Sequence, residues 1–164
     1  MIDHTKTTFL AGGCFWGVQE LFRTLEGVVE TRVGYSGGRN ENPTYENHPG
    51  HAEVVAITYD PTKISFRGLL EFFFRMHNPT TVNQQGNDRG DSYRSAIFYQ
   101  NEEEYQEAKN VIAFVNTSGR WAKPIVTTLE PFKKFWPAEE YHQDYLKKNP
   151  GGYTCHQIYF DDYE

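Results

Sequence analysis

A short strand-like run, Thr7-Thr8-Phe9-Leu10-Ala11, breaks at two consecutive glycines and gives way at once to a segment of helical period. Glycines can turn the backbone through positive φ, where larger residues are strained. Val18, Leu21, Phe22 and Leu25 then recur at the spacing of one helix face, and Gly27 follows as a stop. The rest of the chain repeats the theme. Val28 to Tyr35 and Val54 to Tyr59 read as strands, the second ended by Asp60-Pro61. Ser65 caps an apolar helix through Leu69, Leu70, Phe73 and Met76. Tyr93 to Tyr99 is a further strand, and Asn101, with Glu104 in the capping-box position, starts a helix to about Thr117. Pro124 to Leu129 reads as a last strand and Glu139 to Lys148 as a short helix.

This order predicts an α+β two-layer plait: a mixed central sheet with a split βαβ, ferredoxin-like core, long loops and an irregular C-terminal tail. No repeat or linker interrupts it, so residues 1–164 are expected to form one catalytic domain, with 149–164 as a mobile tail. The 12 Phe, 11 Tyr and 3 Trp supply core area and argue against disorder. No apolar run approaches the length of a membrane span, and no apolar leader follows Met1, so a cytosolic protein is expected. Sixteen basic against 22 acidic residues give a net charge of −6 without a basic stripe, which argues against nucleic acid as a partner.

Two cysteines, Cys14 and Cys155, lie far apart in the chain. They cannot build a disulfide scaffold, and they lack the spacing of a zinc site. They are either inert thiols or a reactive pair. Cys14 stands in Gly12-Gly13-Cys14-Phe15-Trp16-Gly17, at the strand-to-helix junction. The unsatisfied N–H groups of a first helical turn favour a thiolate there, and Phe15 and Trp16 put two aromatic rings within reach of the sulfur. Cys155 follows Asn149-Pro150-Gly151-Gly152 in a polar tail. It is either a dispensable surface thiol or one able to swing onto an oxidised Cys14.

Two polar loops could complete a site. Glu53 stands at the mouth of the strand Val54-Val55-Ala56-Ile57; half-buried, its carboxyl would hold a proton and act as a general acid. Gly86-Asn87-Asp88 and Tyr93-Arg94-Ser95 form the second rim. His48 and His51 lack the carboxylates of a metal site, and no metal is expected.

In these motifs the chain resembles the peptide methionine sulfoxide reductase A family. Gly12 to Gly17, Val33-Gly34-Tyr35-Ser36-Gly37-Gly38, Pro43-Thr44-Tyr45, Gly50-His51-Ala52-Glu53, Gly86-Asn87-Asp88, Tyr93-Arg94-Ser95 and His142-Gln143-Asp144-Tyr145 match its pattern, in order. The resemblance implies reduction of methionine-S-sulfoxide, in proteins and free, without a bound cofactor. It makes Cys14 the nucleophile and Glu53 the acid on the departing oxygen. Tyr45, Tyr93 and Asp88 would hold that oxygen. Phe15 and Trp16 would hold the S-methyl group, with Gly13 and His51 beside them at the substrate. Cys155 would resolve the Cys14 sulfenic acid as a disulfide, and thioredoxin would reduce that disulfide. Partners are then thioredoxin and oxidised proteins, with the enzyme a monomer. Asp91 departs from the threonine common in the family, and the absence of a third cysteine implies a two-cysteine cycle. The competing reading is a different thiol redox enzyme or sensor, such as a thiol peroxidase.

Overall fold

The computed structural model describes residues 4–161 and Tyr163. Strand β1 (Lys6–Gly12) runs into helix α1 (Phe15–Phe22), followed by β2 (Val28–Ser36), β3 (Ala52–Tyr59) and α2 (Phe66–Met76). A two-residue hairpin, β4 (Gln84–Gln85) with β5 (Asp88–Arg89), and a 3₁₀ turn at Asp91–Tyr93 precede β6 (Ser95–Tyr99). Then come α3 (Glu102–Ser118), β7 (Thr128–Pro131), β8 (Trp136–Pro137), a 3₁₀ turn at Glu140–His142 and α4 (Tyr145–Lys148). The main sheet has the order β7-β6-β1-β3-β2-β8. Its four central strands are antiparallel neighbours in the split βαβ arrangement, and β7 adds the one parallel pairing. The mixed plait read from the sequence is the observed fold.

The two faces of the sheet bury different residues. Leu10, Val33, Val55 and Ile57 face the helices and pack with Phe15, Phe22, Leu69, Phe73 and Val111. Small residues, Ala11, Ala52, Val54, Ala56 and Ala96, face the other way, under Phe132 and Phe135 from the β7–β8 connection. Phe132 stacks on Phe9 with ring centres 4.0 Å apart. Helix α2 has a broad apolar face, with Arg67, Glu71 and Arg75 in a stripe on the other side, because it lies between the sheet and α3. Among the described residues, no helix is long and apolar enough to cross a membrane.

Several boundaries shift for local reasons. Helix α1 ends at Phe22 rather than near Leu25, and Gly27, at φ +97°, begins the return into β2. Tyr93 lies in the 3₁₀ turn, so β6 starts at Ser95. The last long strand is Thr128–Pro131, displaced toward the C-terminus of the expected Pro124–Leu129. The expected helix Glu139–Lys148 is broken by Asp144, which takes a left-handed φ of +52°. Strand β8 has no periodic signal. It exists because Gly34 has no Cβ: one there would meet the Trp136 carbonyl and the Phe135 ring. The tail beyond α4 is irregular, and it is fastened along α2. Tyr159 N–H donates to the Arg75 carbonyl (2.8 Å), and the Tyr163 hydroxyl donates to that of Phe74 (2.8 Å).

The caps form as read. Ser65 Oγ accepts from Gly68 N–H (2.9 Å), and Asn101 Oδ1 accepts from Glu104 N–H (2.8 Å). Glu104 reaches back one residue beyond the cap, to Gln100 N–H. Replacing Asn101 with Ala is expected to lower the unfolding free energy by about 1 kcal/mol. Urea denaturation measures this, with the slope against denaturant unchanged.

Candidate active site

One end of the sheet gathers the chemistry. Antiparallel pairing brings together the ends of β1 and β2 and the starts of β3 and β6: Gly12 pairs with Ser95, and Tyr35 with Glu53. Cys14 follows β1, Glu53 is the second residue of β3, Tyr93 stands just before β6, and Tyr45 lies in the β2–β3 loop. Four segments distant in sequence thus meet at one edge.

Cys14 is the N-cap residue of α1, one position before the helical turn expected for it, and is only 5% exposed. The expected thiolate does not follow. Burial pushes the thiol well above the ordinary cysteine range, and the neighbouring Glu53 charge adds to this. The backbone N–H of Trp16 bonds the sulfur and opposes them without winning. At this helix start desolvation outweighs the dipole, because the sulfur is sealed from water.

Glu53 is 1% exposed. Its Oε1 accepts the Phe15 N–H at 3.0 Å, while Oε2 is buried without a protein partner. Burial raises the carboxyl from 4.5 to about 8, and Asp88 adds to the rise. The single N–H pulls the other way and does not compensate. At neutral pH the acid therefore holds its proton, and Oε2 is the oxygen free to carry it.

The Tyr93 and Tyr45 hydroxyls are hydrogen-bonded to each other, and both titrate above the usual tyrosine range, first through burial and then through Glu53. Asp88 interacts electrostatically with Cys14, Glu53 and both tyrosines. Its Oδ2 accepts from the Tyr153 hydroxyl (3.3 Å) and from the Cys155 thiol (3.8 Å). That thiol also contacts the Gln85 carbonyl at 3.6 Å. Cys14 and Cys155 are both free thiols, and Cys155 lies close enough that its charge would push the Cys14 thiol up further.

An aromatic wall stands beside the sulfur. Trp16 stacks on Tyr145 at 3.8 Å, and Tyr45 lies parallel to the indole at 6.5 Å. Phe15 is fully buried beneath them. The indole N–H donates to His142 Nδ1 (2.9 Å), which fixes the ring plane of Trp16. Glu139 receives the Tyr35 hydroxyl (2.9 Å) on one oxygen and the Tyr45 N–H (3.0 Å) on the other. Sequence reasoning gave His142 and Glu139 no role. His142 sits in a matched motif, but its partner Trp16 is 126 residues away. Glu139 has no signal beyond an acidic residue at a predicted helix start.

Cross-braces fix the rim. His48 Nδ1–H donates to the Thr44 carbonyl (2.8 Å), and its Nε2 accepts from Ser92 Oγ (2.6 Å). Arg94 forks onto Glu130 (2.8 and 3.0 Å) and donates to the Gly50 and Asp91 carbonyls. His51, expected at the substrate, has both ring nitrogens engaged: Nδ1 accepts the Gly38 N–H (3.0 Å), and Nε2–H donates to the Asn40 carbonyl (2.9 Å). Its ring holds the loop after β2. Gly13, at φ +104°, makes the turn that delivers Cys14. Among the described residues, no group of three His, Cys, Asp or Glu could hold a metal.

Residues 6–162 match the peptide methionine sulfoxide reductase family. The chain belongs to that family. It is 59% identical to the peptide methionine sulfoxide reductase MsrA of Mycobacterium sp. (strain MCS) over 95% of this chain and 91% of the relative. The crystal structure of Mxr1 from Saccharomyces cerevisiae in reduced form superposes with a TM-score of 0.89 at 37% identity, covering 94% of this chain and 92% of that one. Mxr1 in complex with Trx2 matches with a TM-score of 0.66 at 27% identity, covering 94% and 90%. The chain is thus an oxidoreductase, a peptide methionine sulfoxide reductase.

The Glu53 shift makes stability depend on pH. The folded protein keeps this proton up to about pH 8, whereas the unfolded chain releases it near the ordinary 4.5. The folded state binds more protons in between, so this group's stabilisation is complete below the lower value and is lost as pH rises through the upper one. Glu53→Gln is expected to flatten the decline in unfolding free energy from about pH 5 to about pH 9. Urea denaturation across that range tests it; parallel declines in both proteins would contradict the assignment.

Proposed function

We propose that this reductase acts on methionine-S-sulfoxide, in proteins and free, through a Cys14 sulfenic acid and a Cys14–Cys155 disulfide, and that a thioredoxin returns the disulfide to thiols in the cytosol. One observation carries the reading: a carboxylic acid that holds its proton stands against the loop bearing a buried thiol. A sulfoxide sulfur is a poor electrophile until its oxygen takes a proton, so nucleophile and acid must converge on one small group.

The Cys14 sulfur attacks the sulfoxide sulfur while Glu53 protonates the oxygen. The Tyr45 and Tyr93 hydroxyls support that oxygen, and Asp88 acts on it through the same network. The oxygen passes to Cys14, and methionine leaves with the electron pair. Balance is restored when the thiol proton returns to Glu53. The Phe15 and Trp16 rings receive the S-methyl group, and His51 and Gly13 shape the loops around it. Cys155 then displaces the sulfenic oxygen as water. For the reductant, the support is the Mxr1 relative captured with Trx2.

Cys14→Ser is expected to abolish turnover. Cys155→Ser should release about one methionine per enzyme and then stall with thioredoxin; full steady-state turnover would remove it as the resolving thiol. Glu53→Gln should slow the first step by about 100-fold or more. The wild-type rate of that step should fall as pH rises past about 8. Single-turnover assays on separated epimers measure the first step, and steady-state assays with thioredoxin measure turnover.

A further inference from the structure

Among the described residues of the tail segment that carries Cys155, His156 is the one that is buried, and the chemistry above leaves it unused. It is 8% exposed although its backbone belongs to no helix or strand. Its Nε2–H donates to the Gly12 carbonyl at 2.7 Å, and Nδ1 is buried without a partner. The backbone N–H of His156 also donates to Thr154 Oγ1 (3.1 Å), bending the segment so that the imidazole enters the protein.

The floor beneath the ring is made of absent side chains. A Cβ on Gly13 would lie 3.1 Å from His156 Nε2. One on Gly17 would overlap the ring at Nδ1 and meet Thr154 Oγ1 at 2.6 Å. Gly17 lies inside α1, where glycine costs about 1 kcal/mol relative to alanine; space for the imidazole is the visible reason for it. A Cβ on Gly86 would meet the Cys155 Cβ at 2.9 Å. Three glycines therefore receive two consecutive tail residues, His156 against Gly13 and Gly17 and Cys155 against Gly86.

We propose that His156 is the positioning residue for Cys155: seated between Gly13 and Gly17, it holds the tail where the Cys155 thiol can meet an oxidised Cys14. The proposal rests on the reading that turnover leaves Cys14 as a sulfenic acid. In that step the Cys155 sulfur attacks the Cys14 sulfur, the S–S bond forms as the S–O bond breaks, and the hydroxyl leaves with the thiol proton as water. Its rate depends on how often the tail thiol is in place, which a seat one residue away controls. A neutral ring suits the seat, since a proton on Nδ1 would have no acceptor, and burial lowers the proton affinity of His156 accordingly.

The test separates two steps in a single turnover without reductant. His156→Ala is expected to release methionine at the wild-type rate while disulfide formation slows at least tenfold, with the Cys14 sulfenic acid accumulating and trapped by dimedone. His156→Gln, whose amide nitrogen can reach the Gly12 carbonyl, should recover most of the lost rate. If His156→Ala does not fold, Gly17→Ala fills the seat while favouring α1, and it should slow the same step. Disulfide formation at the wild-type rate, or an equal loss of both steps, overturns the proposal. Excess hydrogen peroxide, which also oxidises a thiol to a sulfenic acid, is run in parallel. A wild-type enzyme that releases no methionine then refutes the proposed substrate, while the peroxide arm still decides whether His156 positions Cys155.

Discussion

The hydrogen bond from Phe15 N–H to Glu53 Oε1 holds the site together. It joins the first residue of α1 to the second residue of β3, so the loop bearing Cys14 and the strand bearing the acid keep one geometry. It is also a single bond. A carboxylate needs two or three such donors to stay ionised away from water. With one donor and a buried, unpartnered Oε2, desolvation wins, and the proton stays. Cys14 meets the same condition, and each group's charge would raise the cost of the other's. The resting pair is therefore neutral on both sides, and charging the thiol is tied to moving a proton.

Everything around the pair serves to keep it fixed. Trp16 could rotate about its side-chain bonds, but the bond to His142 and the stack on Tyr145 leave it one orientation. Tyr45 sits on a loop without regular structure, yet Glu139 holds its backbone and Tyr93 its hydroxyl. Arg94 ties the two rim loops through Gly50 and Asp91, using the planar fork that a lysine does not have. Where loops carry groups into the site, long-range polar contacts give them the rigidity that helices and strands provide elsewhere.

What the sequence revealed, and what it did not, divides along the range of the interactions. Period and caps are local, so the βαββαβ order, Ser65 and Asn101 were all legible. Cys14 and Glu53 stand out in the sequence because each sits at an element boundary, Cys14 between two glycines and a helix, Glu53 at a strand mouth. The thiolate expected at Cys14 does not follow: a dipole argument sees only the helix, while burial and the charges of Glu53, Asp88 and Cys155, which oppose it, depend on segments distant in sequence. For a related reason, nothing local in the sequence says that both ring nitrogens of His51 are taken by the loop before it. Strand β8, two residues long, and the partnership of Trp16 with His142 depend on contacts that no window of sequence contains.

The neutral pair also bears on selectivity. An exposed thiolate reacts with many oxidants, at a rate set by its charge and access. Cys14 has neither in the resting state, being sealed and protonated. A peroxide arriving there would need the thiol to ionise unaided, against burial, so it would oxidise Cys14 slowly and only in excess. In the proposed chemistry a sulfoxide brings its own remedy: its oxygen accepts the Glu53 proton, and the vacated carboxylate accepts the proton of the thiol. The barrier that burial imposes is lowered only by a substrate whose oxygen is basic enough to exchange protons with the acid while its sulfur faces the nucleophile. Burial of the two groups, which costs stability above neutral pH, is thus what separates this thiol from one that any oxidant could consume.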